Sequence, residues 1–277
     1  MVVGIIQARM NSKRLPGKIL KKVCGKSLLE LLTERLRCCK NMDEIVVATT
    51  VDSNDDKVEE LAGKIGIKCF RGSENDVLDR FYQAATIYRA DHIVRITGDC
   101  PLIDPGITNR VIDCYLKGLS GGEPYDYVSN TLRPTFPDGL DVEVFSFKML
   151  KKLHHVSNKA YQREHVCTYM AEHPEEFRVK NVSQDDDLSH LRWTVDNAED
   201  FELIKAIFEG LYRKNTIFSM RDILKFLNKH PSLSEINKGL KRNEGFVRSL
   251  NEQGFSEEEK KKIIDNVMNK RKLNEVL

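Results

Sequence analysis

Paired cysteines, metal-spaced histidines, familiar nucleotide loops and long apolar runs are all missing from this sequence. Its seven cysteines (Cys24, Cys38, Cys39, Cys69, Cys100, Cys114 and Cys167) include no C-x-x-C pair and are odd in number. Neither a disulfide framework nor a thiolate metal site is encoded, and a reducing compartment, the cytoplasm, is the expected location. Charge of one sign is also scarce. Lys and Arg total 44 against 42 Asp and Glu, a formal net charge of +2, so no global field argues for a nucleic-acid partner and any basic chemistry must be local. The apolar start from Met1 to Gln7 is too short for a signal peptide and lacks a basic lead, and nothing approaches a membrane span. G-x-x-x-x-G-K-[ST] and G-x-S-x-G are both absent, which excludes a Walker loop and a nucleophile elbow. His165 has no Cys or His at ligand spacing, so zinc is not expected. There is no internal repeat and no low-complexity linker.

Alternating short apolar runs and helical patterns fill the first part of the chain. Val2–Ile6, Ile45–Thr49, Ile67–Phe70 and His92–Ile96 read as buried strands. Between them, Ser27–Leu36, Asp55–Ile65 and Asp76–Arg89 read as helices, the first with a Ser27/Glu30 capping pattern. This alternation predicts a mostly parallel sheet with helices on both faces, and ligands at the carboxyl ends of its strands. The polar loops after Gln7, Phe70 and Ile96 lie at those ends.

The pattern changes after about residue 120. Tyr127–Ser129 and the period-two stretch Leu140–Phe145 suggest a small antiparallel layer. Ala160–Glu172 reads as one helix, Leu191–Val195 as a strand, and Asn197–Leu211 and Ser219–His230 as helices. The charged tail from Ser256 carries a narrow apolar stripe (Ile263, Ile264, Val267, Met268), read as a terminal helix docked on the body in preference to an oligomer contact.

Chemistry concentrates in the loop Gln7–Lys18, where Arg9, Lys13, Arg14 and Lys18 accompany Ser12 and a Pro16-Gly17 turn directly after the first strand. Cations and closely approaching backbone N–H groups are what a triphosphate requires. Thr97-Gly98-Asp99-Cys100-Pro101 follows the fourth strand. Gly98 admits close backbone approach, and Asp99 is placed either to hold Mg²⁺ or to cap a turn. Asp196 likewise stands between metal ligation and capping the next helix, a role it shares with Asn197. Asp138–Glu143 and Arg163-Glu164-His165 are polar clusters able to read a hydroxylated, acidic acceptor.

The first loop, the Gly-Asp-x-Pro turn and the late Asp resemble the CMP-sugar synthetase superfamily of CTP-dependent cytidylyltransferases. Ile6-Gln7-Ala8-Arg9, Arg71–Leu78, Asp138–Glu143, Arg163–Val166 and Arg242–Phe246 resemble its spore coat polysaccharide branch. The resemblance covers roughly residues 1–250 and implies an α/β three-layer sandwich of the nucleotide-diphospho-sugar transferase type, with a small inserted antiparallel layer. It implies a homodimer formed through an inserted subdomain near residues 123–175; the charged helical extension expected at 251–277 falls outside it.

By the same resemblance, Arg9, Ser12, Arg14 and Lys18 contact the nucleotide, with Ala8, Thr97 and Gly98 in the same site and Arg71 helping to close it. Asp99 and Asp196 hold Mg²⁺, and Asp138, Gly139, Asp141, Glu143, Arg163 and His165 face the acceptor. The implied reaction is attack of an acidic sugar or sugar phosphate on the α-phosphate of CTP, with Lys18, Arg14 and Asp99 as the catalytic groups and pyrophosphate as the leaving group. Two rivals stand beside it. One is a glycosyltransferase of the same fold, whose D-x-D signature fails here because Asp99 is followed by Cys100-Pro101. The other is a non-catalytic nucleotide-binding protein.

Overall fold

The computed structural model describes residues 1–268. β1 (Val2–Gln7) is followed by a hairpin of β2 (Lys22–Val23) and β3 (Lys26–Ser27). Then come α1 (Leu28–Leu36), β4 (Glu44–Thr50), α2 (Asp56–Lys64), β5 (Lys68–Gly72), α3 (Val77–Ile87), β6 (His92–Thr97) and α4 (Pro105–Ser120). The remainder comprises β7 (Tyr127–Ser129), β8 (Glu143–Ser146), α5 (Phe147–Val156), α6 (Ala160–Glu164), α7 (Thr168–Glu172), β9 (Val179–Asn181), α8 (Ala198–Leu211), α9 (Met220–Lys229), α10 (Glu244–Glu252) and α11 (Glu257–Met268).

The helix starts follow from local chemistry. The Ser27 side chain accepts from the Glu30 N–H while Glu30 accepts from the Ser27 N–H, completing the expected capping box of α1. Asp76 caps α3, and Asp104 caps α4 ahead of Pro105 at its first turn. The main sheet has the order β5-β4-β1-β6-β8-β7-β9. β5, β4, β1 and β6 are mutually parallel, β8 runs antiparallel to both β6 and β7, and β9 is parallel to β7.

Successive residues of β1 feed opposite layers. Val3 and Ile5 pack with Phe81 and Leu150, whereas Val2 and Ile6 pack with Leu32 and Val111. Both faces of the central strands are therefore covered, giving the expected three-layer sandwich. A third cluster gathers Trp193 beneath α8 and α9.

Several sequence expectations are revised. A small antiparallel sheet is present as β2 and β3, but the period-two stretch ends in β8, an antiparallel strand of the main sheet. Leu191–Val195 forms no strand. Its N–H groups find single partners, Trp193 on the Asp138 carbonyl and Val195 on the Asp99 carbonyl, so no ladder develops. The helix expected over Ala160–Glu172 breaks at His165, whose φ of −110° and ψ of 77° leave α6 and α7 as separate turns. In α11, Ile263, Ile264 and Val267 dock on Tyr161, Phe246 and Leu250 of the same chain. The Met268 side chain and residues 269–277 lie outside the described residues. Among the described residues no helix is long and apolar enough to cross a membrane.

Candidate active site

The chain leaves β1 for β4 and β5 on one side and returns through β6 on the other. The loops after β1 and β6 therefore meet where the strand order reverses, the point at which open α/β sheets collect ligands. The Gly98 N–H donates to the Gln7 carbonyl at 2.8 Å. A Cβ on Gly98 would stand 3.0 Å from both the Ala8 Cβ and the Gln7 oxygen, so glycine is what lets the two loops touch. The first loop is tied down by the Met10 N–H on Asp55 at 2.7 Å and by the Gly17 N–H on the Met10 carbonyl at 2.9 Å. Gly17 takes a left-handed φ of 66° at the turn into Lys18.

That turn buries the Lys18 ammonium. It donates to Asp99 Oδ2 at 2.8 Å, to the Val195 carbonyl at 2.8 Å and to Asp196 Oδ1 at 2.9 Å. Burial works against its charge, but Asp99 and Asp196 outweigh burial and hold its pKa above the ordinary lysine value. Burial likewise opposes the Asp99 charge, and Lys18 overrides it, taking Asp99 down to about 2. Asp196 is free to join because Asn197 takes the N-cap position of α8, where the N–H groups of Asp196 and Asn197 both donate to the Asp200 carboxylate.

The cluster extends further. Arg14 pairs with Asp196 at 2.8 Å and Glu244 at 3.4 Å. Arg192 spans Asp138 (2.9 Å), Asp196 (2.8 Å) and Asp200 (3.0 Å). Arg242 reaches Asp141 and, at 3.8 Å, Asp138. Four cations (Lys18, Arg14, Arg192, Arg242) thus hold six carboxylates (Asp99, Asp138, Asp141, Asp196, Asp200, Glu244). The network carries more negative than positive charge. Asp138 registers the excess: burial and the neighbouring Asp141 raise its pKa to about 7 against the pull of Arg242 and Arg192.

Two cavities open on this network. The larger, of about 620 Å³, is lined by Arg9, Lys13, Arg14, Lys18 and Arg248, with Asp99 and Asp196 beside them. Ala8, Ser12, Thr97 and Gly98 also line it. The smaller, of about 270 Å³, sets Asp141, Glu143, Arg95 and Arg242 against Leu132, Met170, Phe246 and Val267. Thr97 and His165 line both. Arg95 and the Tyr127 hydroxyl fix Glu143 in the smaller cavity.

His165 holds Ser249 Oγ at 2.8 Å, and burial, aided by Arg95, lowers its pKa to about 4. In the unfolded chain it takes up a proton near the ordinary histidine value, so between those two values the unfolded state binds more protons. The His165 contribution to stability should therefore fall as pH drops through that window, by up to about 2 kcal/mol between pH 7 and pH 5, while Asp138, raised to about 7, works in the opposite direction. Urea titrations of the wild type and of His165→Gln at the two pH values check this: between pH 7 and pH 5 the wild type should lose about 2 kcal/mol relative to the variant, in which Asp138 still titrates.

Four residues expected in the site lie outside both cavities. Arg71 is held on β5 by the Thr50 and Asp52 carbonyls and by Asp56 and Glu59. Arg163 bonds Asp76 at 2.6 and 2.8 Å and the His154 carbonyl at 2.7 Å, fastening α6 to the start of α3. Asp138 ties Arg192 to Arg242, whose side chain lines the smaller cavity. Gly139, at φ 105°, packs where a Cβ would stand 2.6 Å from the Thr194 nitrogen, which explains the glycine by backbone approach and not by ligand contact. Arg192 and Arg248 were not singled out from the sequence. The spacing of Arg192, Asp196 and Asp200 at four-residue intervals was the available signal for the first.

Known proteins are similar to this chain in sequence and fold. The family model described as cytidylyltransferase matches residues 3–260. The spore coat polysaccharide biosynthesis protein SpsF of Bacillus subtilis is 33% identical over 237 residues, covering 83% of this chain and 95% of that protein. A 3-deoxy-manno-octulosonate cytidylyltransferase of Trichlorobacter lovleyi is 27% identical over 242 residues, covering 76% of this chain and 92% of that one. A solved cytidylyltransferase from Leptospira borgpetersenii serovar Hardjo-bovis superposes with a TM-score of 0.80 at 38% identity, covering 84% of this chain and 96% of that one. With its cationic loop at the switch point of a three-layer sandwich, the chain belongs to the cytidylyltransferase family and is a nucleotidyltransferase.

Proposed function

We propose that the enzyme transfers CMP from CTP to an acidic sugar or sugar phosphate, releasing pyrophosphate, for surface polysaccharide or glycoconjugate synthesis in the cytoplasm, and that it works as a homodimer. The observation that carries this reading is the pair of cavities meeting at Thr97 and His165, one rich in cations, the other mixed in character. A triphosphate fits the first, and a hydroxylated sugar fits the carboxylates and arginines of the second.

Asp99 and Asp196 converge on one ammonium at 2.8 and 2.9 Å, within a network that has more carboxylates than cations. Such hard oxygen donors suit Mg²⁺, which when bound there would supply Lewis-acid polarisation of the reacting phosphate. The chain's own groups do the rest. Lys18 and Arg14 neutralise charge as the bond from the α-phosphorus to the leaving pyrophosphate breaks, and the cavity walls hold acceptor and phosphate in line. Glu143, fixed by Arg95 and Tyr127, and Asp141 are placed to receive acceptor hydroxyls.

Pyrophosphate release with Mg²⁺, each of the four common nucleoside triphosphates, and a panel of acidic sugars and sugar phosphates tests the reading. CTP with one acceptor class is expected to be active. Release with another triphosphate would overturn the cytidine assignment. CTP binding by calorimetry without release across the panel would favour a binding protein.

A further inference from the structure

One face of α10 is a charge stripe. Glu244, Arg248 and Glu252 recur at four-residue intervals and so project from the same side of the helix. That side faces the first loop. Glu252 pairs with Lys13 at 2.6 Å, Glu244 with Arg14 at 3.4 Å, and next to them Ser249 meets His165 at 2.8 Å. Arg248 lies between the two glutamates, lines the larger cavity and is half-buried.

Its situation differs from that of every loop cation. Arg9, Lys13, Arg14 and Lys18 each hold a carboxylate: Glu74, Glu252, Glu244 with Asp196, and Asp99 with Asp196. Arg248 makes no ion pair or hydrogen bond among the described residues. Among the described residues lining the cavity proposed for the triphosphate, Arg248 is thus the one cation without a carboxylate partner, carried by a helix that is otherwise pinned to the loop through acidic residues.

We propose that Arg248 is a further triphosphate-binding residue, and that α10 is a strap that exchanges ion pairs when nucleotide enters. Phosphate oxygens take over Lys13 and Arg14 and release Glu252 and Glu244, while Arg248 turns its donors to the phosphate tail. The carboxylates hold the strap on the empty site, and the arginine holds it on the filled one. The inference rests on the nucleotide reading of the larger cavity.

Calorimetry on the full chain separates the two. Wild type, Arg248→Met, Arg248→Lys and Glu252→Gln are titrated with Mg²⁺-CTP and with CMP, and thermal melts confirm that each variant folds. A charge-assisted contact to phosphate predicts that Arg248→Met weakens CTP about 10- to 100-fold, with CMP affected far less and Arg248→Lys recovering part of the loss. Removing a competing, exposed carboxylate predicts that Glu252→Gln tightens CTP about two- to five-fold. CTP affinity within two-fold of wild type in Arg248→Met would overturn the assignment of Arg248. Unchanged or weaker CTP binding by Glu252→Gln would overturn the exchange. Absence of CTP binding by the wild type would instead sink the nucleotide reading, and this inference with it.

Discussion

Asp99→Asn should lower turnover about 10²- to 10³-fold, or roughly 3–4 kcal/mol of transition-state stabilisation, with a smaller loss of fold stability of at most about 2 kcal/mol. The two halves of this expectation have one cause. Asp99 belongs to a network in which carboxylates outnumber cations, and its partner Lys18 keeps Asp196 at 2.9 Å when the Asp99 charge is lost. Neutralising Asp99 takes from the buried ammonium one of its two charged partners, the loss that the lowered Asp99 pKa implies, while the amide oxygen still accepts from the ammonium and limits that loss. The proposed catalytic site loses more than the fold does: a charged oxygen at the rim of the cationic cavity. Initial rates of CTP-dependent pyrophosphate release, taken over a Mg²⁺ titration, should show a lower plateau reached at higher Mg²⁺. A variant with full turnover and an unshifted Mg²⁺ curve would remove Asp99 from the metal and catalytic roles together.

What could be read from the sequence follows from the range of the forces involved. The parallel half was legible because a strand buried on both faces is a continuous apolar run, as in Val2–Ile6 and Ile45–Thr49, and because Ser27 and Asp76 announce helices through bonds to residues three places on. The loop bearing Lys18 was legible because its position after β1 fixes its surroundings. Long-range pairing was not legible. Arg163 looks like an anion reader by residue type, but its anion is Asp76, brought in from 87 residues away. Arg71 is engaged by Asp56 and Glu59 on the neighbouring α2. Leu191–Val195 shows a strand's alternation because Trp193 and Val195 are buried, yet its backbone finds only single partners. The break at His165 has a tertiary setting as well, since its ring lies edge-on to Phe246 at 4.9 Å, a contact with α10 that spacing within the helix does not encode.

The largest loss of stability is expected from Arg192→Met. The Arg192 side chain is 6% exposed and holds Asp138, Asp196 and Asp200, the last with a fully buried side chain. Replacing such an arginine by an apolar side chain leaves buried carboxylates without their cation, which costs about 3–5 kcal/mol. For a chain of this size that lowers the melting temperature by on the order of 10 °C. The loss should depend on pH in a defined direction. Burial opposes the Asp200 charge, but Arg192 and Asn237 override it and keep the pKa below the ordinary carboxylate value. In the wild type Asp200 therefore contributes stability above the unfolded pKa, lost only as pH falls through the lower folded one. Without Arg192 the burial effect is unopposed by that guanidinium and the folded pKa rises. The variant's deficit is then greatest near neutral pH and shrinks as acid protonates Asp200. Arg192→Lys should fall between the two, because one ammonium does not span three carboxylates as a planar guanidinium does. Asp200→Asn in the Arg192→Met background should restore part of the loss by removing a stranded charge. Urea unfolding of these four proteins at pH 7.5 and 5.5 decides the matter. A deficit under about 1 kcal/mol, or one equal at both pH values, would mean that Arg192 is not what holds the carboxylate network together. In that case the convergence of Asp196 on Lys18 would have to come from the Val195 backbone contacts to Lys18 and Asp99 alone.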